Sequence, residues 1–147
     1  MQAIDVPRGL WIEHTIKIGT YDIDFANHVS NISYLRWFED MRLMLFDKYF
    51  PLKGFLDIGK TPVLTGTSVA YKRPIKLFSE PHGVMWISKI SKASLVINAE
   101  LYVDGQLTTT VEHVGVFIDL STGKAIRVPS ICTDLFNTAS EDVPVRR

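Results

Sequence analysis

The chain has 147 residues, enough for one domain with a continuous hydrophobic core. Its 16 Lys and Arg balance its 16 Asp and Glu, so it lacks the basic stripe of a nucleic-acid module and its charge points to no partner. The single cysteine, Cys132, excludes an intramolecular disulfide framework and a multi-cysteine zinc site, which makes a reducing cytoplasm the expected compartment. No stretch approaches the roughly 20 apolar residues of a membrane span. The N-terminus shows no leader pattern, and a soluble protein without nucleic-acid or membrane partners is expected.

After a short apolar lead, residues 10–19 read as a first strand, carried by Trp11, Thr15, Ile16 and Ile18. A polar turn follows, holding Asp24, Asn27, His28, Ser30 and Asn31. An apolar stripe then runs through Leu35, Phe38, Met41, Leu45 and Tyr49, the spacing of a helix. Arg36, Asp40, Leu43 and Asp47 fall on the other side, toward solvent or a partner, and Pro51 ends the helix. Ser30 or Asn31 is the expected cap. The unpaired amides there carry the positive end of the helix dipole, where an electron-rich carbonyl oxygen can bind.

Residues 51–61 have no steady periodicity and read as a connecting loop bordering a pocket. From Pro62 the period becomes two. Val63, Thr65, Thr67, Val69 and Tyr71 form one side of a strand, and Leu95, Ile97, Ala99, Leu101 and Val103 one side of another, both expected to be half-buried. Residues 84–90 supply a further strand. Asp104-Gly105 is a hairpin signal, because a two-residue type I′ turn needs φ > 0 at both positions. The strand over residues 108–118 is expected to pair antiparallel with the one before it, and residues 121–124 read as a turn. One long helix followed by a meander must bury the helix on the sheet, which predicts an α+β layer. Periodicity alone leaves several such folds open.

Asp24 lies between a strand and a helix beside Phe25 and Ala26, a setting for a partly desolvated carboxylate. An isolated Asp in such a turn ordinarily binds local amides instead. His28 can orient the turn or a substrate. Asp24, His28 and His113 lack convincing ligand spacing, so no metal is expected. Glu39 and Arg42 stand at i,i+3, the spacing of a modest ion pair. Ser68, in GTSVA, lacks the final Gly of a nucleophile elbow and falls within a strand pattern. Cys132 has no base nearby and reads as a small apolar residue. Lys72, Arg73 and Lys76 form a compact basic group around Pro74, suited to phosphates or to a solvated strand edge.

The stretch YDIDFANHVSNISYLRWFEDMR, residues 21–42, resembles the signature of hotdog-fold acyl-CoA thioesterases of the 4-hydroxybenzoyl-CoA type. That signature runs roughly Asp-x-Asp-x-x-Gly-His-Val-Asn-Asn-x-x-Tyr, then a Glu and an Arg. Here Asp22, Asp24, His28, Val29, Asn31, Tyr34, Glu39 and Arg42 carry it, and the likeness extends through YKRP at residues 71–74 to cover about residues 13–129. Asn27 stands where the family has Gly, and Ser30 where it often has the first Asn; Asn is among the few non-glycine residues that tolerate φ > 0. The stretch is also partly similar to plant acyl-carrier-protein thioesterases through Tyr34 and Trp37. Ala26 replaces an Asn of theirs, and they carry two hotdog repeats where one fits here.

The resemblance implies one hotdog domain over residues 1–147, an antiparallel sheet wrapped around a long central helix. It implies hydrolysis of an acyl-CoA thioester without a cofactor, with Asp24 as nucleophile or general base. The backbone N–H of Asn31 would be the oxyanion donor, His28 would assist, and Lys72, Arg73 and Lys76 would meet the coenzyme A phosphates. A homodimer or homotetramer would share the site between subunits. An acyl-carrier-protein substrate and a non-catalytic acyl-thioester-binding module are the rivals, since fold alone does not decide function. A hydratase on this fold sets its Asp five residues before His, with a Pro between. Asp24 and His28 are four apart without one, which disfavours that class.

Overall fold

Alternating apolar and polar residues become strands that wrap the longest helix of the chain. In a computed structural model describing residues 9–142, β1 (Trp11–Thr15) and a single 3₁₀ turn (Thr20–Asp22) lead into α1 (Asn31–Tyr49) and α2 (Leu52–Asp57). Then come β2 (Lys60–Tyr71), β3 (His82–Ile90), β4 (Leu95–Val103), β5 (Gln106–Asp119), β6 (Ala125–Ile126) and α3 (Ser130–Asp142). The apolar lead and both ends of the domain read over 1–147 lie outside the described residues.

The sheet order is β1-β3-β4-β5-β2, with β6 added to β5, and every pair is antiparallel. Asp104 and Gly105 take φ of 51° and 77° between the paired residues Val103 and Gln106, the type I′ turn that dipeptide predicts. Against the sheet lies α1: Phe38, Met41 and Leu45 share one core with Met85, Ile97, Leu101 and Phe117. The approach is close at β3, where a Cβ on Gly83 would sit 2.8 Å from the Met41 methyl and oblige that side chain to shift. This is the hotdog arrangement.

Several expectations need correction. Leu35 is 46 % exposed, whereas Tyr34 and Trp37 are buried. The buried face is therefore 34-37-38-41-45, rotated from the expected stripe, because Leu35 and Leu43 are apolar residues of the outer face. Residues 51–61 are not all loop: Pro51 caps α2, whose Phe55 is buried against Phe117. The segment does border a cavity, through Leu52 and Thr61. Strand β2 is not half-buried along its length, since residues 64–68 are exposed; it is the last strand of the sheet and has a neighbour on one side only. The first strand stops at Thr15, and α3 was not expected at all. Cys132, Leu135, Phe136 and Ala139 have the helical spacing that could have revealed it, and they pack on the core. Among the described residues no helix is long and apolar enough to cross a membrane.

Candidate active site

The junction between β1 and α1 is held by its own polar groups. Asp22, buried, accepts from Gly19 N at 2.8 Å through Oδ2 and from the Ser33 hydroxyl at 2.8 Å through Oδ1. Its carbonyl accepts from Ser30 N at 2.7 Å. Ser30 is the helix cap: its hydroxyl accepts from Ser33 N at 3.3 Å and donates to the Ser33 hydroxyl at 3.2 Å. The chain of bonds Ser30 to Ser33 to Asp22 ties the entry loop to the first turn of α1.

Within this frame residues 23–29 form a small hairpin. Ile23 and Val29 are bridged, and Asp24 N donates to the His28 carbonyl at 2.9 Å. Asn27 takes φ of 63°, so it adopts the left-handed geometry that the family's Gly would supply. The Asp24 Oδ1 accepts from Ala26 N at 2.8 Å and from His28 N at 3.3 Å, the turn-forming role expected of an isolated Asp. The Oδ2 of the same carboxylate makes no hydrogen bond among the described residues. At the helix start Ser33 N is satisfied by Ser30, but the N–H groups of Asn31 and Ile32 find no protein acceptor among the described residues. An open carboxylate oxygen and an open helix-end amide thus belong to one junction.

The basic segment is brought alongside. Val29 N donates to the Ile75 carbonyl at 2.9 Å, and Lys72 N and Arg73 N both donate to the Thr108 carbonyl, at 2.8 and 3.1 Å. The side chains of Lys72, Arg73 and Lys76 are exposed there. His28 is half-buried and reaches Asp24 through its backbone N–H, not its ring.

Sequence reasoning gave no role to Tyr34 and Tyr71, whose rings meet edge to face at 4.9 Å behind the turn. Burial raises the Tyr34 hydroxyl above its ordinary range, with Thr109 working against the shift and the Asp24 charge adding slightly to it. Tyr34 is buried, with its hydroxyl engaged by Thr109 and the Ile75 backbone. Its signal was its place in the signature, three residues after Asn31.

Other candidates do not converge here. Glu39 is exposed on α1, and the expected ion pair with Arg42 does not form; Arg42 turns instead to His113. Ser68 sits mid-strand on the exposed part of β2, not on an elbow. Cys132 is fully buried, its thiol pushed up to about 12 by burial. Among the described residues no cluster of His, Cys, Asp or Glu could hold a metal ion.

Comparison with known proteins bears on the family and the fold. The thioesterase-like superfamily profile matches residues 18–136. A search of curated proteins finds no match. Among solved structures, a DHNA-CoA thioesterase from Staphylococcus aureus superposes with a TM-score of 0.79 at 24 % identity, covering 89 % of each chain. A hypothetical protein from Staphylococcus aureus, solved in complex with CoA, superposes at 0.84 with 17 % identity, covering 98 % of this chain and 92 % of its own. A gentisyl-coenzyme A thioesterase follows at 0.77 with 14 % identity, covering 85 % of this chain and 99 % of its own. At these identities the likeness establishes the fold, while the profile match over most of the chain establishes the kinship: the protein belongs to the thioesterase-like superfamily, on the hotdog fold.

Proposed function

We propose that this chain is a single-domain cytoplasmic hydrolase that cleaves an acyl-CoA thioester to the free acid and coenzyme A at the β1–α1 junction. One observation carries the reading: the Asp24 carboxylate is fixed by the turn through Oδ1, and among the described residues neither its Oδ2 nor the Asn31 N–H at the start of α1 has a hydrogen-bond partner. The thioester oxygen sits on the Asn31 N–H, and the positive end of α1 stabilises the charge it gains in the transition state. Asp24 Oδ2 then either attacks the carbonyl carbon and expels the thiolate, leaving an acyl anhydride that water hydrolyses to the free acid, or takes a proton from an attacking water and passes it to the departing thiolate. His28 shapes the turn from behind. A panel of aromatic, short, medium and long acyl-CoAs, followed by free-thiol release, tests the reading. Release from at least one class is expected; release from none would favour the binding module.

The basic segment is read as the phosphate clamp, since the Val29–Ile75 bond holds it beside the catalytic turn. Arg73→Ala is accordingly expected to raise KM for acyl-CoA but to leave a truncated pantetheine thioester nearly unaffected, because only the former carries the nucleotide phosphates. Equal losses on both substrates would assign Arg73 to the solvated edge instead.

Strand β2 ends the sheet as an unpaired edge of 12 residues, with Leu64 and Tyr71 partly exposed along it. Such an edge invites a second strand. Together with Leu35 and Leu43 on the outer face of α1, it supports a homodimer or a dimer of dimers that completes the site. Light scattering at micromolar concentration is expected to give a multiple of the 16.6 kDa chain mass. A clean monomer would remove the shared-site reading.

A further inference from the structure

Strand β5 breaks its own regularity at the base of the basic segment. Along β4 and β5 the pairs run Leu101 with Thr109 and then Tyr102 with Leu107, so Thr108 is an extra residue with no partner opposite it, a β-bulge. Alternation fails at the same place. Thr108 and Thr109 are neighbours in a strand, yet they are 3 % and 0 % exposed. The Thr108 hydroxyl donates to the Leu101 carbonyl at 3.1 Å and lies 3.2 Å from the Thr109 hydroxyl. The bulge is closed by its own side chain.

This geometry frees the Thr108 carbonyl for the chain that leaves β2. Tyr71 with Thr109 is the last pair between β2 and β5. Just beyond it, Lys72 N and Arg73 N both donate to the Thr108 carbonyl, at 2.8 and 3.1 Å. One carbonyl oxygen has two lone pairs and can take both amides, whereas a regular antiparallel ladder spaces its acceptors along the strand. Pro74 then restricts φ and disfavours helical geometry at Arg73. Ile75, 1 % exposed, accepts from Val29 N at 2.9 Å. Residues 72–75 therefore run between two fixed points, the bulge and the Asp24 turn. Tyr34 of α1 joins these points, its hydroxyl engaged by Thr109 and by the Ile75 backbone. Among the described residues Lys72, Arg73 and Lys76 form no ion pair, so it is the backbone that fixes where their exposed side chains start.

We propose that Thr108 is a positioning residue for substrate recognition, on the reading of Lys72, Arg73 and Lys76 as a phosphate clamp, which this role requires. The bulge, closed by the Thr108 hydroxyl, sets where Lys72 and Arg73 present their charges and thereby the affinity for the nucleotide half of coenzyme A. Thr108 is buried and acts only through the two residues it holds.

Thr108→Val keeps the side-chain shape and removes the hydroxyl, and Thr108→Ser keeps the hydroxyl. Titration of the full chain with coenzyme A, together with KM for acyl-CoA and for the truncated pantetheine thioester, reads the effect. Thr108→Val is expected to weaken coenzyme A and raise KM for acyl-CoA by about three- to tenfold, the worth of one hydrogen bond, with kcat and the pantetheine-thioester KM unchanged. Thr108→Ser should restore the parent values. Amide hydrogen exchange on the parent protein needs no variant to fold: Lys72 and Arg73 should exchange as slowly as the paired amides of β5. Fast exchange at both would overturn the positioning role. So would equal losses on the two thioesters in Thr108→Val, or an unchanged Thr108→Val beside an Arg73→Ala that separates them, and the clamp would then stand without the bulge. If Arg73→Ala does not separate the two thioesters either, the clamp falls and this role falls with it.

Discussion

Replacing Asp24 by Asn is expected to lower kcat for acyl-CoA hydrolysis by about 10² to 10⁴, the usual worth of a positioned base. The substitution is conservative for the fold. An amide oxygen can still accept from Ala26 N and His28 N, the bonds at 2.8 and 3.3 Å that shape the turn, so binding and thermal stability should change little. What is lost is the open oxygen with its charge and lone pair. Glu39→Gln is the control, since Glu39 is exposed on α1 and lies past the second turn from the helix start, and it should cost far less. Near-normal turnover in Asp24→Asn with inactivity in Glu39→Gln would move the catalytic role to the helix Glu.

The second large effect is on stability. Burial, assisted by the Arg42 guanidinium beside it, lowers the His113 pKa from 6.5 to about 4. In the unfolded chain the same ring takes up its proton near the ordinary value. Between those two pH values the unfolded state binds more protons, so stability falls as the pH drops from about 6.5 toward about 4 and is fully present above 6.5. The shift corresponds to on the order of 3 kcal/mol. Denaturant unfolding at about pH 7 and about pH 4 should show the parent losing that much more than His113→Gln, which lacks the titrating ring. Parallel losses in the two proteins would show that His113 does not carry the acid sensitivity.

The parts of this molecule that were legible in its sequence share one property: each is decided by neighbouring residues. Asp104-Gly105 sets its turn through its own φ values, and the alternation at residues 95–103 needs only one sheet face to be buried. The cap at Ser30 and the left-handed Asn27 belong to the same class, because side-chain chemistry within four residues fixes them. The hotdog assignment itself came from the signature, not from periodicity.

What was misread depends on partners distant in the chain. Leu35 matches the helical period as well as Tyr34 does, and only the position of the sheet determines which is covered. Alternation in β2 predicted a half-buried strand, but its place at the sheet edge, set by pairing with β5 some 50 residues on, leaves most of it exposed. In α2, six residues interrupted by Gly54 are too few to show a period. The Arg42–His113–Thr67 group joins three elements, so local spacing pointed Arg42 to Glu39 instead.

The central claim is that a thioester carbonyl rests between Asp24 and the start of α1. A structure with an acyl-CoA analogue in which a methylene replaces the thioester sulfur tests it directly. The account predicts the ketone oxygen about 3 Å from the Asn31 N–H, the carbonyl carbon facing Asp24 Oδ2, and the nucleotide phosphates toward Lys72, Arg73 and Lys76. A ketone bound elsewhere, with the Asn31 amide and Asp24 Oδ2 both still open, would contradict it.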